Sequence, residues 1–273
     1  MSRVPANTVP RIGVIGLGEA GASVASRLQA ANVDVVAFDW KPPTASGIPL
    51  VPTIADAVAG ASLVLSASPL SRSLSVATEA APLLTPGAVF ADLSAGSPDH
   101  KKRLATLFPE GAFADLAATR GIGDAGSAAL AASGSGARAL VDLFTDWGLA
   151  AEFVSDTPGD AAARTLLRAH LDNGFAGVLA DYLWAAKALG AERWAFEEVC
   201  DIFQEATHET AAAYLADAAN NVKRRQIEMM DIQEMFTSVA YESTTIMAAE
   251  MTYSEILHSK PVPFAKPPRR RAD

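Results

Sequence analysis

Six residues near the amino end carry the clearest chemical pattern: Gly16-Leu17-Gly18-Glu19-Ala20-Gly21. They follow the apolar run "RIGVI" and open the small-residue stretch "EAGASVASRLQAAN". A strand, a glycine turn and a helix in that order form a cradle for a dinucleotide pyrophosphate. Gly16 permits the tight turn, Gly18 lets the backbone approach the phosphates, and Gly21 lets the helix pack closely on the strand. The start of the helix adds N–H groups and the positive end of its dipole. A second apolar run, "VDVVAFDW", ends in Asp39, eighteen residues beyond Gly21. A carboxylate there accepts hydrogen bonds from the adenosine ribose and repels a 2′-phosphate, which favours NAD over NADP. Lys41 follows closely and softens that preference. The competing readings are a plain strand-turn-helix for the glycines and a solvated strand end for Asp39.

A second group of reactive side chains lies in "DTPGDAAARTLLRAHLDNGFAG", residues 156–177. On a helix, positions 165, 168, 169 and 172 share one face. That face carries Thr165, Arg168 and Asp172, with Arg164 beside it and His170 off it. Arginine steadies an oxyanion but does not shuttle protons easily, whereas a carboxylic acid with a raised pKa donates one. Arg168 and Asp172 are therefore the catalytic candidates, and a structural ion pair is the alternative. Elsewhere, Glu205, His208 and Glu209 read as a polar helix face and not a metal site, because no second cluster completes a ligand set. Arg224 and Glu228 are spaced for an ion pair, with a substrate contact as the alternative. Tyr214, Tyr241, Tyr253 and His258 are further cleft candidates. Met229, Met230, Met235, Met247 and Met251 read as core or dimer interface, and Cys200 as a core residue.

These groups need elements to position them. "RIGVIGLG", "VDVVAFDW", "ASLVLSASP", "GAVFADLS" and "GAFADLAA" read as short buried strands, with helical segments around 70–81 and 98–107. Alternating strands and helices predict a parallel sheet covered on both faces. From about residue 157 the pattern changes, and no strand is evident up to 258. A long helix is expected first, with Asp156 or Thr157 as its N-cap, Pro158 at its first position and Gly190 as its stop. Further helices are expected near 195–219, 221–236 and 237–257. The expected fold is α/β plus all-α: a doubly wound Rossmann sheet over 1–156, then a helical domain over 157–273, joined by the long helix.

The 273 residues are half hydrophobic, ample for a sizeable core. The net charge of −9 makes nucleic acid and anionic membranes poor partners. The basic stretch "KPPRRRAD" reads as a solvated tail. One cysteine excludes an intrachain disulfide. No apolar run reaches the roughly 18 residues of a membrane span, and no apolar signal core opens the chain. A soluble cytoplasmic protein is expected.

"IGVIGLGEAGASVASRL…VVAFD" resembles the start of the β-hydroxyacid dehydrogenase superfamily, which includes 3-hydroxyisobutyrate and 6-phosphogluconate dehydrogenases and the imine reductases. Further matches follow in order. "LSASP" (65–69) resembles the loop beside the nicotinamide, which assigns Ser68 and Pro69 to the cofactor. "ADLSAGSP" (91–98) resembles the D-x-S-T-x-x-P segment, which assigns Ser94. "FADLAATRGIG" (113–123) stands where the family carries its substrate loop, with Thr119-Arg120-Gly121 in place of Ser-Gly-Gly. Arg120 there suits a substrate carboxylate or phosphate. "AALAASGSGARAL" resembles the strand, glycine pair and helix that come next. "LLRAHLDNGFAGVLADYLWAAKALG" and "NNVKRRQIEMMDIQEMF" resemble a subgroup with a helical C-terminal domain of unknown function.

The resemblance implies hydride transfer between NAD or NADP and a carbon bearing oxygen or nitrogen. It also implies a homodimer formed through the helical domain. One departure bears on the chemistry. The family carries a general acid/base lysine early on the long helix, and Thr165 occupies the matching position. Imine reductases resemble these dehydrogenases while lacking that lysine. The expected function is therefore an NAD(P)-dependent oxidoreductase acting on a small hydroxy acid, keto acid or imine. The alternatives are an imine reductase specifically, or a non-catalytic dinucleotide sensor or scaffold.

Overall fold

The computed structural model describes residues 10–43, 47–118 and 130–265. Seven strands form one sheet: β1 (Arg11–Ile15), β2 (Asp34–Phe38), β3 (Leu63–Ser66), β4 (Val89–Asp92), β5 (Phe113–Ala118), β6 (Leu130–Ser133) and β7 (Ala151–Ser155). Their spatial order is β2-β1-β3-β4-β5-β6-β7. Every residue of β3 and β4 is buried, as expected of strands covered on both faces. Helices α1 (Glu19–Ala30), α2 (Ile54–Val58), α3 (Leu70–Ala80), α4 (Pro98–Ala105) and α5 (Ala137–Asp146) provide that cover. One apolar cluster joins Val14 and Leu65 to Leu28 and Phe144. The other joins Ile15, Val64 and Phe90 to Val76 and Leu104. The sheet is doubly wound.

The sheet is not wholly parallel. β1 to β5 run in one direction, β6 pairs antiparallel with β5, and β7 runs parallel to β6. β7 has no counterpart in the sequence reading. Its "AEFVS" is short, half-buried and interrupted by Glu152, so the apolar signal is weak.

The chain divides into two compact units, Met1–His170 and Leu171–Asp273. The division falls inside the long helix α6 (Asp160–Ala188), not at its start. The first turns of α6 belong with the sheet because their backbone bonds to it. Ala161 N–H donates to Ser133 Oγ and Ala162 N–H to Asp115 Oδ2, both at 2.9 Å. These acceptors replace the expected cap at Asp156 or Thr157, and the helix begins only after Gly159, at φ +96. Gly190, at φ +72, stops it as expected.

The second unit continues with α7 (Glu192–Glu205), α8 (His208–Asn220), α9 (Val222–Ser238) and α10 (Thr244–His258). The single helix expected over 195–219 breaks in two at Thr207. The Thr207 hydroxyl accepts the Thr210 N–H, and the Thr210 hydroxyl accepts the Thr207 N–H, a reciprocal cap that opens α8. The helix expected from 237 begins at 244, where Ser243 accepts the Ile246 N–H. Cys200 is exposed, contrary to the core position expected for it. Only Ala195 of α7 is buried in this chain, so the apolar spacing that includes Cys200 lies on open faces. Of the methionine run, Met229 alone is buried.

Candidate dinucleotide-binding site

In the sheet order the chain leaves β1 for β2 on one side, then crosses to β3 on the other. Ligands of open α/β sheets bind at the carboxyl ends of the strands flanking such a switch point. A cleft of about 560 Å³ lies there. Gly16 adopts φ +98, and a Cβ on it would lie 2.7 Å from the Ala67 carbonyl oxygen. A Cβ on Gly21 would approach the Gly16 carbonyl oxygen to 2.1 Å. By contrast, Gly18 faces open space. It sits at the N-cap of α1, where no side chain bonds the first-turn N–H groups. An open helix start beside backbone that tolerates no side chain fits a pyrophosphate.

Most of the expected cofactor residues line this cleft: Gly16, Gly18, Glu19, Ala20, Asp39, Ser68, Pro69 and Ser94, joined by Trp40, Lys41, Leu70 and Arg72. Leu17 and Gly21 are buried and do not line it. Leu17 N–H donates to Asp39 Oδ2 and Lys41 N–H to Asp39 Oδ1, each at 2.6 Å. The carboxylate thus ties the end of β2 to the glycine turn. Each oxygen keeps a lone pair for a ribose hydroxyl. The Arg72 guanidinium stacks 4.5 Å from the centre of the Trp40 ring. Both residues also line a neighbouring hollow of about 340 Å³, together with Phe38, Thr53, Ile54 and Val76. Sequence reasoning missed Trp40 and Arg72, since neither belongs to a glycine or acid pattern.

Sequence reasoning also missed a buried charged group on adjoining strands. Asp92 and Asp115 are register partners on β4 and β5. Lys101 Nζ lies 2.7 Å from Asp92 Oδ2 and 3.1 Å from Asp115 Oδ1, and all three side chains are fully buried. The same ammonium donates to the Asp92 carbonyl oxygen at 2.9 Å. The Ser94 hydroxyl donates to Asp92 Oδ2 at 2.6 Å. Asp115 Oδ2 accepts Ser133 Oγ–H at 3.2 Å as well as the α6 amide. In the sequence Lys101 belongs to "DHKKR", which reads as a solvated charge run. The available signal was Asp115, an acid inside the apolar strand "FADLAA", which demands a buried partner.

The other candidates are scattered. Thr165 on α6 donates a long 3.4 Å hydrogen bond to the Ala118 carbonyl oxygen. Arg164 pairs with Glu152 of β7 at 2.6 Å on the surface, a type of contact worth about 0–1 kcal/mol. Arg168 and Asp172 are exposed residues four apart on α6, the first in the sheet unit and the second in the helical unit. Thr119, Arg120 and Gly121 lie outside the described residues, as does the basic tail from 266. Arg224 reaches Glu228 only at 3.9 Å and Asp217 at 3.1 Å. Arg225 makes the closer contacts, to Asp217 and Glu228. Hydrogen bonds from Arg225 and then Asn221 hold the Asp217 carboxyl below its ordinary range. Tyr241 donates to Asp181 within the helical unit. Among the described residues no group of three or more His, Cys, Asp or Glu is placed to hold a metal. Among them, too, no helix is long and apolar enough to cross a membrane.

Residues 11–139 match the model of the NAD-binding domain of 6-phosphogluconate dehydrogenase. No curated protein matches the sequence. Solved structures do. A conserved protein of unknown function, described as structurally similar to 3-hydroxyacid dehydrogenases, is 25% identical with a TM-score of 0.60, covering 90% of this chain and 96% of its own. A Myxococcus stipitatus imine reductase variant in complex with NAD+ is 18% identical with a TM-score of 0.72, covering 92% and 94%. An Aspergillus terreus imine reductase in complex with NADPH4 and dibenz[c,e]azepine is 15% identical with a TM-score of 0.73 over the same shares. The glycine cradle at the switch point, the domain model and the whole-chain likeness agree. Residues 11–139 form an NAD-binding domain of the 6-phosphogluconate dehydrogenase type, and the chain shares its fold with a protein described as similar to 3-hydroxyacid dehydrogenases and with imine reductases.

Proposed function

We propose that the protein transfers hydride between NAD(P) and the carbon of a small substrate, with C=N substrates preferred over hydroxy and keto acids. The observation that carries this reading is Thr165, which stands where the resemblance places a catalytic lysine. The Thr165 hydroxyl faces the Ala118 carbonyl. The buried Lys101 donates to the Asp92 carboxylate and carbonyl oxygen and is ion-paired with Asp115. Neither supplies a ready proton. A lysine acid is worth roughly 10²–10⁴-fold on a neutral carbonyl. An iminium already carries the charge that such an acid would create, so its carbon needs no further activation. The names of the structural neighbours support the same direction.

The glycine turn, with Leu17, Glu19 and Ala20, holds the pyrophosphate in this reading, and Asp39 holds the adenosine ribose. Ser68, Pro69 and Ser94 take the nicotinamide side, and Thr119, Arg120 and Gly121 the substrate. When bound, the nicotinamide supplies or takes up the hydride. Arg168 steadies developing negative charge, and Asp172 serves as proton donor where the substrate is a carbonyl. NAD is the preferred form, because Asp39 repels a 2′-phosphate, but Lys41 and Arg72 line the same cleft and keep NADP admissible. The working form is a homodimer built on the helical unit, in the cytoplasm.

The test begins with fluorescence titration of NADH and NADPH. Absorbance at 340 nm is then followed against cyclic imines, keto acids and, in reverse, hydroxy acids. Turnover of imines without keto acids is expected. Turnover of keto acids alone reverses the preference, and cofactor binding without any turnover favours the sensor.

A further inference from the structure

We propose that Lys101 is a positioning residue for the cofactor cleft. It acts on Ser94 through Asp92 and on the first turn of α6 through Asp115. The inference rests on the reading of that cleft as the nicotinamide site.

The Ser94 hydroxyl has one proton, and it goes to Asp92 Oδ2. Toward the cleft Ser94 therefore offers lone pairs only. It accepts from a ligand N–H or O–H and donates to none. That orientation holds only while Asp92 stays where it is. Asp92 Oδ1 is buried without a hydrogen-bond partner among the described residues. What fixes the carboxylate is Lys101, which binds both its Oδ2 and its main-chain carbonyl oxygen.

The same ammonium reaches across to Asp115. Asp115 Oδ2 receives the Ala162 N–H, and Ser133 Oγ receives the neighbouring Ala161 N–H. Ala162 lies three residues before Thr165, which faces the end of β5. One buried cation thus sets the hydroxyl in the cleft and the seat of the helix that carries Thr165. Two carboxylates on neighbouring strands would otherwise be buried with no cation between them, an arrangement proteins avoid. Supporting groups of this kind fix the geometry of the groups that touch the ligand.

A double-mutant cycle separates this role from general support of the fold. NADH is titrated by fluorescence against wild type, Ser94→Ala, Lys101→Met and the double variant. Each single change is expected to weaken binding about tenfold, the effect of one lost hydrogen bond. The double variant is expected to bind no worse than the weaker single, within about twofold. Multiplied effects, or unchanged affinity in Lys101→Met, overturn the Ser94 half. If Lys101→Met does not fold, the cycle is run with the charge-neutral Asp92→Asn/Lys101→Met pair in its place, and the same outcomes decide. Hydrogen exchange reads the other half without any cofactor. Ala161 and Ala162 amides are expected to exchange at least about tenfold faster in the Lys101 variant while β1 and β3 amides do not change. Uniform acceleration, or none, overturns the α6 half. Wild type that binds neither NADH nor NADPH removes the cofactor reading and the Ser94 half with it, and exchange still decides the α6 half.

Discussion

A Cβ on Gly21 would sit 2.1 Å from the Gly16 carbonyl oxygen, so the turn accepts no larger residue there. Asp39 works by charge as well as shape. Its two oxygens hold the Leu17 and Lys41 amides, and its negative charge faces the cleft that Lys41 and Arg72 also line. Asp39→Asn keeps the size and one acceptor but removes the charge. Repulsion of a 2′-phosphate then falls while attraction to Lys41 and Arg72 remains. The NADPH:NADH affinity ratio is expected to rise about tenfold, the equivalent of roughly 1.4 kcal/mol. Fluorescence titration with both cofactors measures it, and an unchanged ratio would remove Asp39 from the ribose reading. The glycines and Asp39 were legible in the sequence because their spacing along the chain is itself the pattern. Lys101 was not, because its partners are nine and fourteen residues away on two different strands. Nothing local distinguishes it from its exposed neighbour Lys102.

Among the helices, legibility followed the same division between local and distant causes. Gly190 stops α6 as its sequence predicts, because a stop needs only one residue of positive φ. The start of α6 was misplaced because its acceptors, Asp115 and Ser133, come from the sheet. The start of α10 combines both causes. Ser243 caps it locally, and Asp181 of α6 reinforces the cap from the side. Burial pushes the Asp181 carboxyl up, but hydrogen bonds from Ser243, Tyr241, Thr245 and the Thr244 amide outweigh it and bring it below the ordinary value. A carboxyl lowered on folding stabilises fully above the unfolded value of about pH 4. That contribution fades as pH falls through the folded value. Asp181→Asn is therefore expected to lose about 1–3 kcal/mol at neutral pH, the range for hydrogen bonds to a charged group. The loss should shrink toward pH 3. Urea unfolding of both proteins across pH 3–7 tests this. Curves that stay parallel would mean that the Asp181 charge contributes nothing to the joint between α6 and α10.

For the molecule as a whole, the helical unit poses a burial problem that its own sequence does not solve. Among described residues from 171 onward, Asp181, Ala185, Ala186, Ala195, Val222, Met229 and Ser243 are buried, and only Met229 and Val222 are sizeable apolar side chains. Phe175, Trp184, Trp194 and Met251 remain more than half exposed in the single chain. Monomeric proteins rarely leave large apolar patches open, so a second copy is the simplest cover. The sequence displayed this excess of apolar residues, but periodicity alone does not tell a core from an interface. Trp184 separates the alternatives, because it is 63% exposed in the single chain. On a monomer Trp184→Glu is a surface change worth within about 0.5 kcal/mol. In a dimer that covers α6 it buries a charge without a partner, which is strongly unfavourable. Light scattering is expected to show twice the chain mass for wild type and a single chain mass for the variant. Wild-type Tm is expected to fall on dilution, because folding is then linked to association. A wild type of single mass with a Tm independent of concentration would leave the apolar faces of the helical unit to a partner other than itself.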